Sequence, residues 1–225
     1  MPGSGLSCFL LRMKQLFPLL ALLCAFTVAA QTDSKTRVAC VGDSITYGAG
    51  VAGRESNSYP AVLGKLLGDK YEVKNFGVSG ATLLKKGDNP YWRQGAFKKA
   101  TDFKPNIVVI KLGTNDTKPQ NRTNHMDEFA ADLTALVDTF AALESKPKIY
   151  LCLPVPVYKT QWGINEESVS TEVIPAIKKV AAEKKLTVID LHTALADQKP
   201  LFPDNVHPNA AGAKLMAETI FAVVK

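Results

Sequence analysis

From residue 36 onward, short runs of β-branched and apolar residues alternate with segments of helical period, and this alternation constrains the fold more than any other feature. The clearest helical segment, 129–143, has apolar residues at helical spacing. Five strands, each followed by a helix, predict a three-layer α/β/α domain built on a five-stranded parallel sheet. The strand-like runs are residues 37–41, 71–75, 107–112, 148–153 and 186–190.

Three residues predict where helices begin or bend. Ser58 and Asn209 are of types that cap helix N-termini, so they predict the starts of the first and last helices. Pro175 lacks a backbone N–H and predicts a kink in the long segment 166–185.

Polar groups and glycines follow three of the predicted strands. These loops are Gly42-Asp43-Ser44, Gly77-Val78-Ser79-Gly80 and Gly113-Thr114-Asn115-Asp116. In parallel α/β sheets, functional groups collect beyond the carboxyl ends of the strands, near the point where the strand order reverses. The three loops therefore predict one site to which several strands contribute.

A fourth polar loop, 202–208, leads into the last helix and holds Asp204 and His207. A carboxylate three residues before a histidine can orient one imidazole nitrogen while the other faces a nucleophile. Together with Ser44 and Asn115, this loop supplies the groups that acyl transfer requires. Each residue alone has a plainer explanation, since Ser44 could cap a helix and Asn115 could sit in a turn.

These four loops resemble, in order and spacing, the four blocks of the SGNH or GDSL-type acylhydrolases. Ser44, Gly77, Asn115 and His207 stand where those blocks have their naming residues. The resemblance covers essentially the whole chain after the N-terminal segment. It implies the flavodoxin-like SGNH hydrolase fold and serine esterase activity.

The resemblance also implies a role for each residue. Ser44 is expected to be the nucleophile, His207 the general base and Asp204 the residue that orients it. The expected oxyanion donors are the N–H groups of Ser44 and Gly77 and the side chain of Asn115.

The sequence departs from the family's naming motif next to the nucleophile. Ile45 stands where that motif has leucine, and it is expected to pack behind Ser44. Thr46 occupies the position at which the separate α/β-hydrolase signature requires glycine, which argues against that fold.

Residues 1–30 have the pattern of a secretory signal peptide. Arg12 and Lys14 precede the apolar run 16–30, which ends in small residues. The run contains Pro18 and is shorter than the ~20 residues that a membrane-spanning helix needs. We therefore expect cleavage after Ala30, a catalytic domain of residues 31–225, no stable membrane anchor, and a periplasmic or extracellular location.

Two features of this segment stay open. Met13 is an alternative translation start to Met1. A lipid anchor on Cys24 is not favoured, because leucines precede the cysteine where lipoprotein signals keep a small residue.

Charge and residue types exclude several other functions. The formal net charge of +6 comes from scattered lysines without a basic block, which argues against nucleic-acid binding. With three histidines and no Cys-x-x-Cys or His-Glu-x-x-His pattern, no metal and no cofactor are expected. Cys40 and Cys152 are expected to be free, because the family's strand order places a strand between theirs.

Other polar residues are given structural interpretations. Ser79 is expected to be a turn residue without an acid or base partner. Asp190 and His192 are expected to satisfy local backbone groups, and His125 to mark the start of a helix.

The motifs around Asn115 and His207 are similar to those of bacterial esterases that remove O-acetyl groups from sugars, so we expect a short-chain acyl ester, in particular a glycan acetyl ester, as the substrate. Tyr158 and Trp162 in the loop 154–165, and the segment 91–94, could form walls for a sugar ring or could simply pack at loop edges.

Three alternatives remain. Lysophospholipase or thioesterase activity on longer acyl chains would use the same chemistry with a deeper pocket. A non-catalytic sugar-binding relative would share the fold. A nucleotide-binding flavodoxin-like protein is disfavoured, because neither Gly-x-Gly-x-x-Gly nor a Walker pattern occurs.

Overall fold

The computed structural model describes residues 1–3, 5 and 34–225, and the fold below is that of residues 34–225. The predicted signal peptide, including the cleavage site at Ala30 and the alternatives at Met13 and Cys24, lies almost entirely outside the described residues. It therefore stays a prediction.

Five parallel strands form one sheet in the order β2-β1-β3-β4-β5. The strand order reverses between β1 and β3, because the chain first pairs β2 on one side of β1 and then crosses to pair β3 on the other. The predicted parallel α/β sheet is confirmed. The strands β1 to β5 are Thr36–Gly42, Tyr71–Gly77, Ile107–Lys111, Lys148–Cys152 and Thr187–Ile189.

Helices follow the strands as the alternating pattern predicts. They connect consecutive strands and cover both faces of the sheet. In chain order, α1 to α10 are Ser44–Tyr47, Arg54–Asn57, Tyr59–Leu67, Gly95–Asp102, Pro119–His125, Phe129–Ala141, Glu166–Ser168, Ile174–Lys184, Leu191–Ala194 and Ala210–Val224.

Alternate residues of each strand face two separate apolar layers. Val38 and Cys40 of β1 pack with α3 and α10 on one face, whereas Ala39 and Val41 pack with α4, α6 and α8 on the other. A strand covered on both faces needs apolar residues at every position, which explains the continuous runs in the sequence. The sheet edge that carries the polar loops remains open between the two helical layers.

The predicted helix boundaries are mostly confirmed. Asn209 caps α10, and its side chain accepts a hydrogen bond from the N–H of Gly212. Ser58 precedes α3, which is the third helix of the described region and not the first, and it makes no side-chain cap hydrogen bond. Pro175 lies in the first turn of α8, directly after a π-helical turn, Val169–Val173, so the expected interruption takes the form of a wide turn. His125 ends α5 and is also the N-cap residue of the 3-10 helix Met126–Glu128 that leads into α6, so the expected helix start is confirmed.

Both cysteines of the described region are free and buried, as expected. Cys40 lies in β1 and Cys152 in β4, with β3 between them. Two strand spacings of ~4.8 Å exceed the ~7 Å limit on the Cα separation of a disulfide. Within residues 34–225, no helix has both the length and the apolar character needed to cross a membrane.

Burial disfavours the reactive thiolate form of both cysteines in the folded protein. It raises the pKa of Cys152 to about 12 and raises that of Cys40 as well. We expect a thiol reagent at mildly alkaline pH to leave the native chain 31–225 unmodified. After denaturation without a reductant, the same chain should show two reactive thiols. Detection of none would mean that a disulfide joins β1 and β4, which this strand order forbids.

Candidate active site

Ser44 lies in a tight turn between β1 and α1. Asp43 is the N-cap of α1, and its side chain accepts a hydrogen bond from the N–H of Ile45 at 3.0 Å. Ser44 is therefore the first residue of the helix, and its own N–H has no partner inside that helix. Ile45 is 2% exposed and packs in the core behind the serine, as expected.

The loop before α10 holds Asp204 and His207 in a fixed geometry. One carboxylate oxygen of Asp204 accepts hydrogen bonds from the N–H of Val206 at 2.9 Å and from the N–H of His207 at 2.6 Å. The other oxygen lies 2.8 Å from Nδ1 of His207. Asn205 adopts the left-handed conformation that lets the loop turn this tightly, which asparagine tolerates well.

Ser44, His207 and Asp204 form one hydrogen-bonded chain. Nε2 of His207 lies 2.8 Å from Oγ of Ser44. Burial raises the pKa of Asp204, but hydrogen bonds from the backbone N–H groups of His207 and Val206 and from the imidazole outweigh it and lower the pKa below its usual value. An ionised Asp204 holds the proton on Nδ1, which leaves Nε2 free to accept the proton of Ser44.

Ser44 and His207 open onto a cavity of about 230 Å³. Asn115 also lines it, at the carboxyl end of β3. Its side-chain nitrogen donates one hydrogen bond to the carbonyl of Ala81 at 3.1 Å, which fixes the amide and leaves its second N–H available. The remaining lining residues are Ala49, Ser79, Gly80, Lys118, Trp162 and Ile164.

Gly77, an expected oxyanion donor, is not among the residues that line this cavity. Its N–H donates to the side chain of Asn75 at 2.9 Å, and a Cβ on it would lie 2.1 Å from the backbone nitrogen of Tyr47. The glycine is therefore required for close packing of β2 against α1. The expectation that its N–H is an oxyanion donor is corrected, because that N–H is already bonded. Gly80, three residues later, lines the cavity instead, and its N–H has no intramolecular partner within residues 34–225.

A buried ion pair underlies the site, and sequence reasoning missed it. Nζ of Lys111, the last residue of β3, lies 3.0 Å from Oδ2 of Asp43 and 2.7 Å from Oγ1 of Thr114. Both charged side chains are fully buried. The pair links the end of β1 to the end of β3, directly below the loops that carry Ser44 and Asn115. A lysine in an apolar run was the one signal that pointed to it.

Asp116 fastens the loop after β2 to the loop after β3. Its two oxygens accept hydrogen bonds from the N–H groups of Leu83 and Leu84 at 3.1 and 2.8 Å. Burial raises its pKa to about 7; the two backbone donors oppose this shift, and the charge of Asp43 adds to it. The loop that begins with Gly80 is thereby held against the turn that carries Asn115.

Most of the aromatic residues proposed for a sugar wall have structural roles. Tyr91 is fully buried and donates to the carbonyl of Phe76 at 2.8 Å, and Trp92 donates to the carbonyl of Leu83 at 2.8 Å. Tyr158 packs on Phe202, outside the cavity. The interpretation of 91–94 and Tyr158 as walls was therefore wrong, whereas Trp162 does line the cavity.

The remaining polar residues lie outside the site, except Ser79. Asp190 caps α9 and satisfies local backbone, as expected. His192 does not: it pairs with Glu166 at 2.7 Å, and this hydrogen bond raises the pKa of the imidazole. In residues 34–225, no group of three His, Cys, Asp or Glu side chains converges to hold a metal ion.

A serine, a histidine and a carboxylate joined in this order define the class of hydrolases with a serine nucleophile. A sequence profile of the GDSL-like Lipase/Acylhydrolase family matches residues 40–215. The chain belongs to this family of lipases and acylhydrolases.

One relative is an acetylxylan esterase of Xylanibacter ruminicola, 43% identical over 217 residues. The match covers 88% of this chain and 45% of the relative, so the chain spans just under half of that protein's length.

Solved structures share the fold. A carbohydrate acetylesterase from Sinorhizobium meliloti superposes with a TM-score of 0.68 at 22% identity, over 84% of this chain and 98% of its own. A catalytic mutant of an acetylxylan esterase from Geobacillus stearothermophilus gives 0.66 at 22% identity, over 84% and 94%. The aryl esterase of M. smegmatis gives 0.66 at 21% identity, over 84% and 98%.

The buried ion pair makes a testable contribution to stability. Lys111→Met leaves the charge of Asp43 buried without a partner, which should cost ~3–5 kcal/mol of unfolding free energy. The double variant Asp43→Asn/Lys111→Met removes both charges and keeps a capping acceptor, so it should lose less. Urea unfolding followed by circular dichroism measures both.

Lys98→Met is the matched control, because it breaks an exposed ion pair with Asp102 on α4. It should change stability little. If Lys111→Met proved as mild as this control, the buried pair would not hold the two strand ends together.

Proposed function

We propose that this protein is an exported serine esterase that removes acetyl groups from carbohydrate, with Ser44 as the nucleophile. The observation that carries the proposal is the unbroken hydrogen-bonded chain from Oγ of Ser44 through His207 to Asp204. It opens onto a cavity beside a buried amide donor, Asn115.

In the first half of the proposed reaction, Oγ of Ser44 attacks the acetyl carbonyl carbon, and its proton passes to Nε2 of His207. The tetrahedral intermediate then collapses as His207 returns this proton to the leaving sugar oxygen. The sugar alcohol departs and acetyl-Ser44 remains. Asp204 stabilises the transient imidazolium without taking its proton.

The second half returns the enzyme to its starting state. Water takes the place of the sugar, gives one proton to Nε2 of His207 and attacks the acetyl carbonyl carbon. Collapse releases acetic acid, and the proton returns from His207 to Oγ of Ser44. The balance is one ester and one water converted into one alcohol and one acetic acid.

Three N–H donors are proposed to hold the oxyanion in both halves. They are the N–H of Ser44 at the start of α1, the N–H of Gly80 and the side chain of Asn115. Gly80 replaces Gly77 in this role, because the N–H of Gly77 is already bonded to Asn75 and Gly80 lines the cavity.

The acetyl substrate is supported by the names of the relatives and by the cavity. An acetylxylan esterase is 43% identical to this chain, and a carbohydrate acetylesterase shares its fold. A cavity of about 230 Å³ suits a short acyl group beside one sugar unit better than a long chain. The proposed export rests on the sequence of residues 1–30, and the proposed mature enzyme is residues 31–225.

An acyl-length series tests this proposal. Aryl esters from acetyl to octanoyl and acetylated glycans are offered to the purified protein, and turnover and acetate release are measured. We expect kcat/KM for acetyl to exceed that for octanoyl by about tenfold or more.

Folded Ser44→Ala and His207→Ala variants serve as inactive controls, and Asp204→Ala should keep part of the activity. The opposite order of acyl preference would favour a lysophospholipase or thioesterase. Absence of turnover on every ester would favour a non-catalytic sugar-binding protein.

The role of Asn115 is tested by Asn115→Ala. A donor that acts mainly on the oxyanion should lower kcat by ~10² to 10³, or about 2.7–4 kcal/mol, with little change in KM. Loss of its bond to Ala81 should lower stability by only ~1 kcal/mol.

The matched control is Asn106→Ala, because Asn106 bonds the N–H of Arg37 at the opposite end of the sheet. It should lower the melting temperature and leave kcat unchanged. If Asn115→Ala behaved in the same way, Asn115 would be a turn residue and no part of the oxyanion site.

A further inference from the structure

Trp162 lies at the cavity wall and is more exposed to solvent than is usual for a tryptophan. Its side chain lines the cavity, and its ring centroid lies 5.5 Å from that of His207. The residue is nevertheless 56% exposed, although its neighbour in the loop, Ile164, is buried. The indole therefore presents a large apolar surface to solvent directly beside the reacting groups.

The backbone of Trp162 is strained. Gln161 and Ile164 form a two-residue hairpin with mutual backbone hydrogen bonds of 3.1 and 2.9 Å. The two central residues, Trp162 and Gly163, have φ of 51° and 81°, as a type I′ turn demands. Glycine, asparagine and aspartate suit such positions, whereas a bulky side chain in the left-handed region is disfavoured.

Nothing in the fold of this hairpin requires an indole at its tip. Gly163 makes the close contact with the rest of the protein, since a Cβ there would lie 2.7 Å from Cδ of Pro119. Asparagine in place of Trp162 would satisfy the turn with less strain and less exposed apolar surface. Tryptophan at this position brings backbone strain and exposed apolar surface without a benefit to folding, which indicates a role in binding.

The base of the hairpin is fastened to the candidate site. The N–H of Tyr158 donates to the carbonyl of Asn205 at 3.0 Å, inside the loop that carries His207. The N–H of Val157 donates to Glu166 at 2.7 Å, and Glu166 also pairs with His192. These bonds hold the loop at both ends and keep the hairpin beside the loop that carries His207.

We infer that Trp162 is a specificity-determining residue that stacks against the ring of an acetylated pyranose while its acetyl group reaches Ser44. The inference rests on the proposed function and names the part of the site that recognises the sugar. An indole offers a rigid apolar face for the C–H groups of a sugar ring. Ser79 and Lys118 line the same cavity and supply polar partners for the sugar hydroxyls.

The experiment compares two acetyl esters with different alcohols. One is a monoacetylated methyl xyloside, whose ring can stack on the indole, and the other is ethyl acetate, which has no ring. The wild-type protein and Trp162→Asn are assayed on both. The ratio of kcat/KM for the xyloside to that for ethyl acetate should fall about fivefold to tenfold, mainly through KM. The melting temperature should stay the same or rise, because asparagine suits the left-handed turn.

Lys185→Asn is the matched control. Lys185 also has a left-handed backbone, with φ of 54°, but it ends α8 away from the cavity. This variant should leave the ratio unchanged, and Trp162→Tyr should restore part of it.

An unchanged ratio in Trp162→Asn, or a lowered melting temperature with equal losses on both esters, would overturn the inference while leaving the esterase intact. Inactivity of the wild-type protein on both esters would instead refute the esterase proposal, and this inference with it.

Discussion

The buried ion pair between Asp43 and Lys111 is the constraint on which the rest of the site depends. Removing two charges from water is costly, and their attraction offsets that cost only if the geometry is fixed and the remaining hydrogen-bonding capacity is used. Here Thr114 and the N–H of Ile45 use it. Asp43 directly precedes Ser44, and Thr114 directly precedes Asn115. Fixing Asp43 and Thr114 therefore restricts the positions of the proposed nucleophile and the proposed oxyanion donor. The strand order also brings these two residues together, because β1 and β3 are neighbours at the point where the order reverses.

The loop after β2 is held in a different way, by side chains of other elements. Asp116 accepts from Leu83 and Leu84, and Asp132 accepts from the N–H of Lys85 at 2.8 Å. Backbone groups that would otherwise be buried without partners are thereby satisfied. These bonds anchor the loop to α6 and to the turn after β3. Gly80 therefore lies at the cavity wall although it belongs to no strand.

The fold could be predicted from the sequence because the three central strands β1, β3 and β4 are covered on both faces and therefore read as largely apolar runs. The carboxylate and histidine loop could also be predicted, since Asp204 and His207 are close in sequence and need only one turn to meet. The choice of Gly80 over Gly77 as the proposed oxyanion donor could not be predicted in this way. Gly77 and Gly80 lie in the same short loop, and only the packing of β2 against α1 distinguishes them. The role of Lys111 was hidden for a similar reason, because its partner is distant in sequence and a lysine is normally exposed.

The hydrogen bond between Ser44 and His207 joins residues that are 163 positions apart. The serine belongs to the first strand–helix unit of the sheet, whereas the histidine arrives with the loop that precedes α10. Ser44 is therefore synthesised early and His207 late. The two side chains come together when α10 packs against α3. Until then Ser44 is an ordinary alcohol with no base beside it. The proposed nucleophile therefore gains its proposed base only after α10 has folded against α3, so an incomplete or unfolded chain lacks the pairing on which the proposed reaction depends.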